Sequence, residues 1–206
     1  MRYRALLLTL SLLPMPLPAG DDVPGPAGRY LSDAFAYAID PPAGTWVPWP
    51  ALEDDYAYAD VGFLSERGYG AVVIPVCWQG EAPSRLALLD VFLARFGEDY
   101  PAPFIHTESD VKKDDASGTE LVGDDEVDGL QFTYQFWIVA NASCAYTLAA
   151  WGPANSPDTA SDLRMLWDRL RLSSSPAVNG EGASHEEQAA NAYFLNQLGM
   201  HYFDAR

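Results

Sequence analysis

Histidine is the residue type through which this chain could do acid–base chemistry, and it has only three. His106 lies mid-sequence beside Thr107, whereas His185 and His201 lie near the C-terminus. A hydrolase needs such a base within hydrogen-bond reach of its nucleophile. His106 is therefore the candidate general base, although the sequence contains no G-x-S-x-G nucleophile elbow. We expect no catalytic residue and a surface or strand-edge role for His106, with a hydrolase using His106 as an alternative.

Carboxylates are the second group that could carry chemistry. The segment from Asp124 to Gly129 has oxygen ligands at alternating positions and glycine at its sixth position, as a calcium loop would. Such a loop has glutamate at its twelfth position, where this chain has Gln135, and it lies between helices, whereas strands are expected here. Asp128-Gly129 is better explained as a hairpin turn. A zinc-type His/Cys cluster is also absent from the sequence, so we predict no metal and no cofactor.

The two cysteines, Cys77 and Cys144, have two readings. An even pair in an oxidising compartment predicts a disulfide. The alternative is two separate buried thiols, because free cysteine is commonly found in protein cores.

The N-terminus has the pattern of a secretory signal peptide. Arg2 and Arg4 precede an apolar run over 5–13, and prolines and small residues follow it. The run is too short to cross a bilayer, which takes about 20 residues. We therefore predict a signal peptide over 1–20, a Gly/Pro-rich lead-in over 21–28 and export to the periplasm or beyond, without membrane insertion after cleavage. A buried or frayed N-terminal helix is the alternative.

The net charge of −17 limits the class of partner. It repels the phosphate backbone of nucleic acids and disfavours anionic membrane surfaces. It suits a basic partner or a cell exposed to high salt, or it serves solubility alone, which is the default interpretation. Because 49% of the residues are hydrophobic and 13% aromatic, the chain can form a core.

Periodicity predicts the elements that position these residues. Strands are expected over 30–39, 56–64, 69–78, 104–111, 119–127, 130–139 and 144–151, and Pro75 implies an edge or a bulge. One helix is expected from the Ser84 cap to Phe96, ended by Gly97, and a second from Ser156-Pro157 onward. These elements predict an α+β domain over 29–172 with an antiparallel sheet flanked by two helices. A linker over 173–183 follows by composition.

The C-terminal segment over 184–206 is predicted to be helical. Its residues Leu195, Leu198, Gly199 and Tyr202 have the L-x-x-L-G-x-x-Y spacing of the first helix of a tetratricopeptide repeat. An ordinary amphipathic helix would also place Leu195, Leu198 and Tyr202 on one face. We favour the incomplete repeat because glycine is costly inside a plain helix, and we predict these four residues as the partner-binding site.

The order of elements in the main domain resembles the PsbP-like fold, which includes Mog-type and DcrB-like proteins. The residues that carry the resemblance are Pro42, Gly44, Trp46, Gly129, Phe132 and Tyr134. It implies a binding or assembly role without choosing a ligand.

The sequence thus predicts an exported, non-enzymatic protein-interaction or assembly module of the cell envelope. The alternative is a stand-alone periplasmic binding or inhibitor protein for a basic partner or a small ligand. Five aromatic residues could line a groove for a peptide or sugar, or could pack in the core: Trp46, Trp49, Tyr56, Tyr58 and Trp78. The oligomeric state stays open.

Overall fold

The structure is a computed structural model that describes residues 29–32, 35–49, 52, 59–78, 82–99 and 104–173. These ranges contain ten strands and two regular helices. The strands are β1 (Tyr30–Ser32), β2 (Tyr37–Ile39), β3 (Val47–Pro48), β4 (Val61–Leu64), β5 (Gly70–Cys77), β6 (Phe104–Lys113), β7 (Ala116–Val127), β8 (Leu130–Ala140), β9 (Cys144–Pro153) and β10 (Leu170–Leu172). The helices are α1 (Arg85–Asp99) and α2 (Thr159–Arg169).

The strands form two antiparallel sheets. The main sheet has seven strands in the order β3-β4-β5-β9-β8-β7-β6, and the small sheet has the order β1-β2-β10. The predicted α+β class with antiparallel strands and two helices is confirmed. The prediction of one strand over 30–39 is wrong, because the chain turns at Ala36, whose φ is +53°, and β1 pairs with β2.

Alternation along the strands buries both faces of the main sheet. On one face, Trp137 and Leu148 join a core shared with α2 and the small sheet. On the other face, Phe136 and Ile138 pack with α1. The central strands are therefore apolar on both sides, as expected of a sheet covered on both faces.

Helix α1 begins where the sequence predicts. The Ser84 hydroxyl oxygen accepts a hydrogen bond from the Ala87 N–H at 3.2 Å, which satisfies one of the unpaired amides of the first turn. The helix continues through Gly97 to Asp99, so the predicted end at Gly97 is wrong. A glycine ends a helix when it adopts a positive φ, whereas Gly97 lies within the helix with two helical residues after it.

Helix α2 buries the apolar face that its sequence predicts. Leu163 and Leu166 are inaccessible to solvent, and the Trp167 ring stacks on Trp137 at 5.6 Å between centroids. Neither helix of the described ranges is long and apolar enough to cross a membrane.

The turns follow local sequence signals. Asp128 and Gly129 have φ values of +52° and +80°, as a type I′ hairpin between β7 and β8 requires. The Asn141 side-chain oxygen accepts the N–H groups of Ser143 and Cys144, both at 2.9 Å, and forms the β8–β9 turn.

Pro75 lies inside β5, and its pairing with Tyr146 belongs to an unbroken register, so the expected bulge is absent. The pairing of β4 with β5 ends at Val61 and Val73. Because Asp60 donates to the Val73 carbonyl, odd-numbered residues of β5 bond toward β4. The nitrogen of Pro75 therefore faces beyond the end of β4. Its lack of an N–H costs no hydrogen bond of the sheet.

Hydrogen bonds join the small sheet and its turn to the main sheet and its adjoining residues. The buried Tyr146 hydroxyl donates to the Phe35 carbonyl at 2.9 Å. The Leu172 N–H donates to Asp114, in the β6–β7 turn, at 2.7 Å. The Tyr37 hydroxyl donates to the Asp60 carboxylate. The two sheets thus share one core and a set of polar links.

Candidate functional site

Strand β6 is the long edge of the main sheet. It is terminal in the strand order of the described residues, and seven of its ten residues are exposed. The opposite edge, β3, has two residues, and one of them is Pro48, which lacks an N–H. An edge strand presents unpaired backbone donors and acceptors on alternate residues. Strand β6 is therefore the candidate binding edge of the domain.

His106 lies in an irregularity of this edge strand. Ile105 pairs with Gly123 and Thr107 with Val122, so His106 is an extra residue, as in a β-bulge. Its Nε2 lies 3.1 Å from the Asp124 carboxylate, and its Nδ1 lies 3.0 Å from the Thr107 hydroxyl oxygen. The structure thus brings together a hydroxyl, an imidazole and a carboxylate.

The surroundings of His106 are those of a solvated polar group. Its side chain is 39% exposed and that of Asp124 is 48% exposed, so water reaches both. The second oxygen of Asp124 accepts a hydrogen bond from Thr133 at 2.8 Å. Catalytic bases are usually tuned by burial, which is lacking here. The predicted strand-edge role agrees with this geometry.

Arg85, at the start of α1, reaches over β6. Its guanidinium lies 2.6 Å from Asp110 and 3.6 Å from Glu108, and its Nε donates to the Thr119 hydroxyl at 2.5 Å. Glu108 and Asp110 are two residues apart and share one side of the strand. Their side chains stay 60% and 86% exposed, so one face of each pair remains open to solvent.

The predicted calcium-like segment forms the tip of the β7–β8 hairpin. Asp124 accepts from Thr133, Asp125 from the Glu126 N–H at 2.7 Å, and Glu126 from Gln131 at 2.6 Å. Strands flank the segment, and the described residues contain no group of three or more His, Cys, Asp or Glu side chains placed to hold a metal. The hydrogen bonds that these carboxylates accept stabilise the hairpin.

Cys77 and Cys144 are joined by a disulfide in the structure. They are directly opposite each other in the β5–β9 register, with Cα atoms 4.0 Å apart. The adjacent Trp78 N–H donates to the Ser143 carbonyl at 3.0 Å, so the cysteines occupy a non-hydrogen-bonded pair, where side chains approach most closely.

The three tryptophans of the predicted aromatic set that the structure describes do not form one groove. Trp46 is buried in the core beneath α2. Trp49 packs against Trp151 at 6.0 Å on the other face, and the Trp78 indole donates to the Ala142 carbonyl at 3.1 Å. Tyr56 and Tyr58 lie outside the described residues.

A small apolar recess lies between α1 and the main sheet. Its lining is Ile74, Val76, Leu88, Val91, Phe92, Ile138, Ala145 and Thr147. Among these described lining residues, Thr147 has the one polar side chain, so they offer little to orient a polar substrate.

The predicted partner-binding residues Leu195, Leu198, Gly199 and Tyr202 lie outside the described residues, as do the predicted signal peptide and all but the first residue of the linker. Arg85 and Asp110 are not among the site residues predicted from the sequence. The spacing of Glu108 and Asp110 at alternate positions of a predicted strand could have identified the two carboxylates, whereas no local pattern points to Arg85.

No protein-family model matches the chain, and no curated protein matches it in sequence. A solved structure from Bacteroides thetaiotaomicron VPI-5482 is 12% identical, with a TM-score of 0.49 over 71% of this chain and 49% of its own. LpqN of Mycobacterium tuberculosis, described as involved in cell envelope biogenesis, is 14% identical, with a TM-score of 0.49 over 66% of this chain and 83% of its own. The chain spans about half the length of the first protein. At these identities and TM-scores below 0.5, the likeness is limited to the α+β fold and supports no argument about function.

Proposed function

We propose that this chain is an exported, non-enzymatic protein-interaction or assembly module of the cell envelope. The observation that carries the proposal is the disulfide between Cys77 and Cys144, the only two cysteines of the chain. Disulfides persist in oxidising compartments and are rare in the cytosol. This supports the export that the N-terminal sequence pattern predicts.

The polar groups of the described domain support a non-enzymatic role. Asp162 pairs with Arg67 at 2.9 Å, and Glu120 with Arg164 at 2.9 Å, each tying a helix residue to the sheet or its turns. Asp114 holds the backbone of Leu172. These contacts give the three carboxylates a structural role in the fold.

The charge of −17 favours a basic protein as partner. The C-terminal residues Leu195, Leu198, Gly199 and Tyr202 are a second contact region under this proposal, completed by further repeats if the parent protein is longer. A stand-alone binding or inhibitor protein for a basic partner would share the same acidic surface.

Affinity capture from an envelope extract tests the proposal. The full chain without residues 1–20 is compared with the same chain carrying Leu198→Ala and Tyr202→Ala. A partner held by the first and released by the second supports the C-terminal site, and a partner held by both moves recognition to the α+β domain. Capture of no protein by either chain would contradict an interaction module.

One observation favours a second candidate, a hydrolase, namely the Thr107–His106–Asp124 arrangement. Its test is a panel of ester, peptide and glycoside substrates, with His106→Ala as the matched variant. Turnover by the full chain that disappears in His106→Ala would replace the non-enzymatic proposal. Turnover that persists in the variant would remove His106 as the base.

A further inference from the structure

We infer that strand β6 is a docking edge for an extended, basic protein segment that adds to the main sheet as an eighth strand. The inference rests on the proposed interaction function and names the chemistry of its partner. Addition of a peptide to an exposed sheet edge uses backbone hydrogen bonds for affinity and side-chain positions for specificity.

The first argument is the backbone of β6. Thr107 to Lys113 pairs with β7 in an unbroken register, and the irregularity at His106 is confined to one end. Seven residues at about 3.4 Å each give a straight edge of roughly 24 Å. Strand β3 at the other edge offers two residues, one of them a proline. The fold thus closes one edge and leaves the other open over the described residues.

The second argument is charge. The segment from Phe104 to Asp128 contains nine carboxylates and two lysines, a net charge of −7 with histidine neutral. Charged side chains are one means by which proteins protect edges from self-association. Acidic groups protect against a second acidic copy and at the same time attract a basic strand. Strand β6 itself carries Glu108 and Asp110 against Lys112 and Lys113, so the excess negative charge lies on β7 and the adjoining turns. The positions opposite Glu108 and Asp110 are therefore the ones at which a paired strand can carry basic residues.

The third argument is the geometry at Glu108 and Asp110. Arg85 shows that a guanidinium fits between these two carboxylates, and it approaches from the side of α1. An added strand would lie beside β6 on the side away from β7. Its side chains would then lie within about 5 Å of those of Glu108 and Asp110. Since both carboxylates are more than half exposed, they can accept a second cation there. Lysine or arginine at alternate positions of the partner would meet them.

The charge also decides between occupants. A second copy of this chain would itself carry a net charge of −17 and would be repelled. The residues over 174–206 carry four carboxylates and one arginine, so they do not complement the edge either. A separate protein segment with alternating basic residues is the occupant that fits.

The test uses the full chain without residues 1–20 and a synthetic seven-residue threonine peptide with lysine at its third and fifth positions. A peptide of the same composition with its two lysines adjacent is the matched control. Binding is followed by NMR, with hydrogen exchange at the amides of β6. We expect alternate amides between Thr107 and Lys113 to exchange at least about tenfold more slowly with the first peptide. Unchanged exchange, or equal binding of both peptides, would overturn the inference.

Charge reversal at the edge gives the second measurement. Glu108→Lys with Asp110→Lys should weaken binding by about tenfold, from the loss of two cross-strand pairs. Asp125→Lys with Asp128→Lys makes the same charge change at the hairpin tip. It should weaken binding by less than about threefold. Equal losses would show general attraction and overturn the edge. If circular dichroism shows that the charge-reversal variant is unfolded, Glu108→Gln with Asp110→Asn is measured in its place.

The same variants separate this inference from the proposed function. A partner captured by the full chain and held equally by Glu108→Lys with Asp110→Lys would overturn the β6 edge and leave the interaction module standing. Failure of the capture itself would count against the module, whatever the peptide does.

Discussion

Removal of the disulfide is the most informative perturbation of the domain. Cys77 and Cys144 are 67 residues apart in sequence, and the chain-entropy relation gives about 4 kcal/mol for a closed loop of that length. Alanine at both positions keeps the β5–β9 ladder, because the ladder is made by backbone groups that the substitution leaves unchanged. We therefore expect Cys77→Ala with Cys144→Ala to fold and to be less stable by about 4 kcal/mol.

Urea unfolding followed by tryptophan fluorescence measures this difference. With a slope of about 2 kcal/mol/M, the midpoint should fall by about 2 M relative to the oxidised chain. The reduced wild-type chain is the matched control, since it lacks the bond and keeps both sulfur atoms. Agreement between the reduced chain and the double variant would assign the loss to the bond. A loss below about 1 kcal/mol in both would refute the reasoning from loop closure.

The same pair gives a direct check on the compartment. Because the chain has two cysteines, thiol trapping of the protein in its native host gives either none or two reactive thiols per chain when denatured. We expect none, as in the structure, where both cysteines are bonded. Two trapped thiols would contradict the disulfide and with it the observation that supports export.

Three further predictions concern single residues. Burial raises the pKa of Tyr146 to about 12, so its contribution to stability is complete below pH 10 and falls by roughly 2 kcal/mol by pH 12. Urea titrations should show this fall in the wild type and not in Tyr146→Phe. At neutral pH, Tyr146→Phe should cost about 1–3 kcal/mol, because the Phe35 carbonyl loses its donor. His106→Ala should change stability by less than about 1 kcal/mol, since its pair with Asp124 is exposed, and a larger loss would show a structural role for the bulge. Leu166→Ala should cost about 2–5 kcal/mol in the same assay, because this α2 side chain is fully buried in the core between the helix and the sheets. A loss below about 1 kcal/mol would contradict that packing.

Short-range signals account for what the sequence predicted of the fold. The Ser84 cap, the Asp128-Gly129 turn and the alternation of β8 each depend on residues within about ten positions of one another. The α+β class follows from the sum of such elements. The two-helix prediction succeeded for the same reason, since the apolar stripe of α2 is visible in its own sequence.

Long-range pairing accounts for what the sequence did not predict. The small sheet forms because β10, at the end of α2, returns to β2 more than 130 residues earlier, and no local pattern announces that partner. The edge position of β6 depends in the same way on the order of all seven strands. The neighbours of His106 predict a strand but not its edge position, and the pairing of Arg85 with Glu108 and Asp110 required the packing of α1.

The coverage of the main sheet bears on where a partner can dock. Helix α1 covers one face, while α2 and the small sheet cover the other, so the inner strands offer a partner neither backbone nor side chains. Recognition by the described domain then falls to its margins, of which β6 is the longest edge. Backbone hydrogen bonds at such an edge accept any extended chain and carry little sequence information. The spacing of charge on Glu108 and Asp110 must therefore supply the discrimination, which is why a peptide of equal charge and different spacing is the decisive comparison.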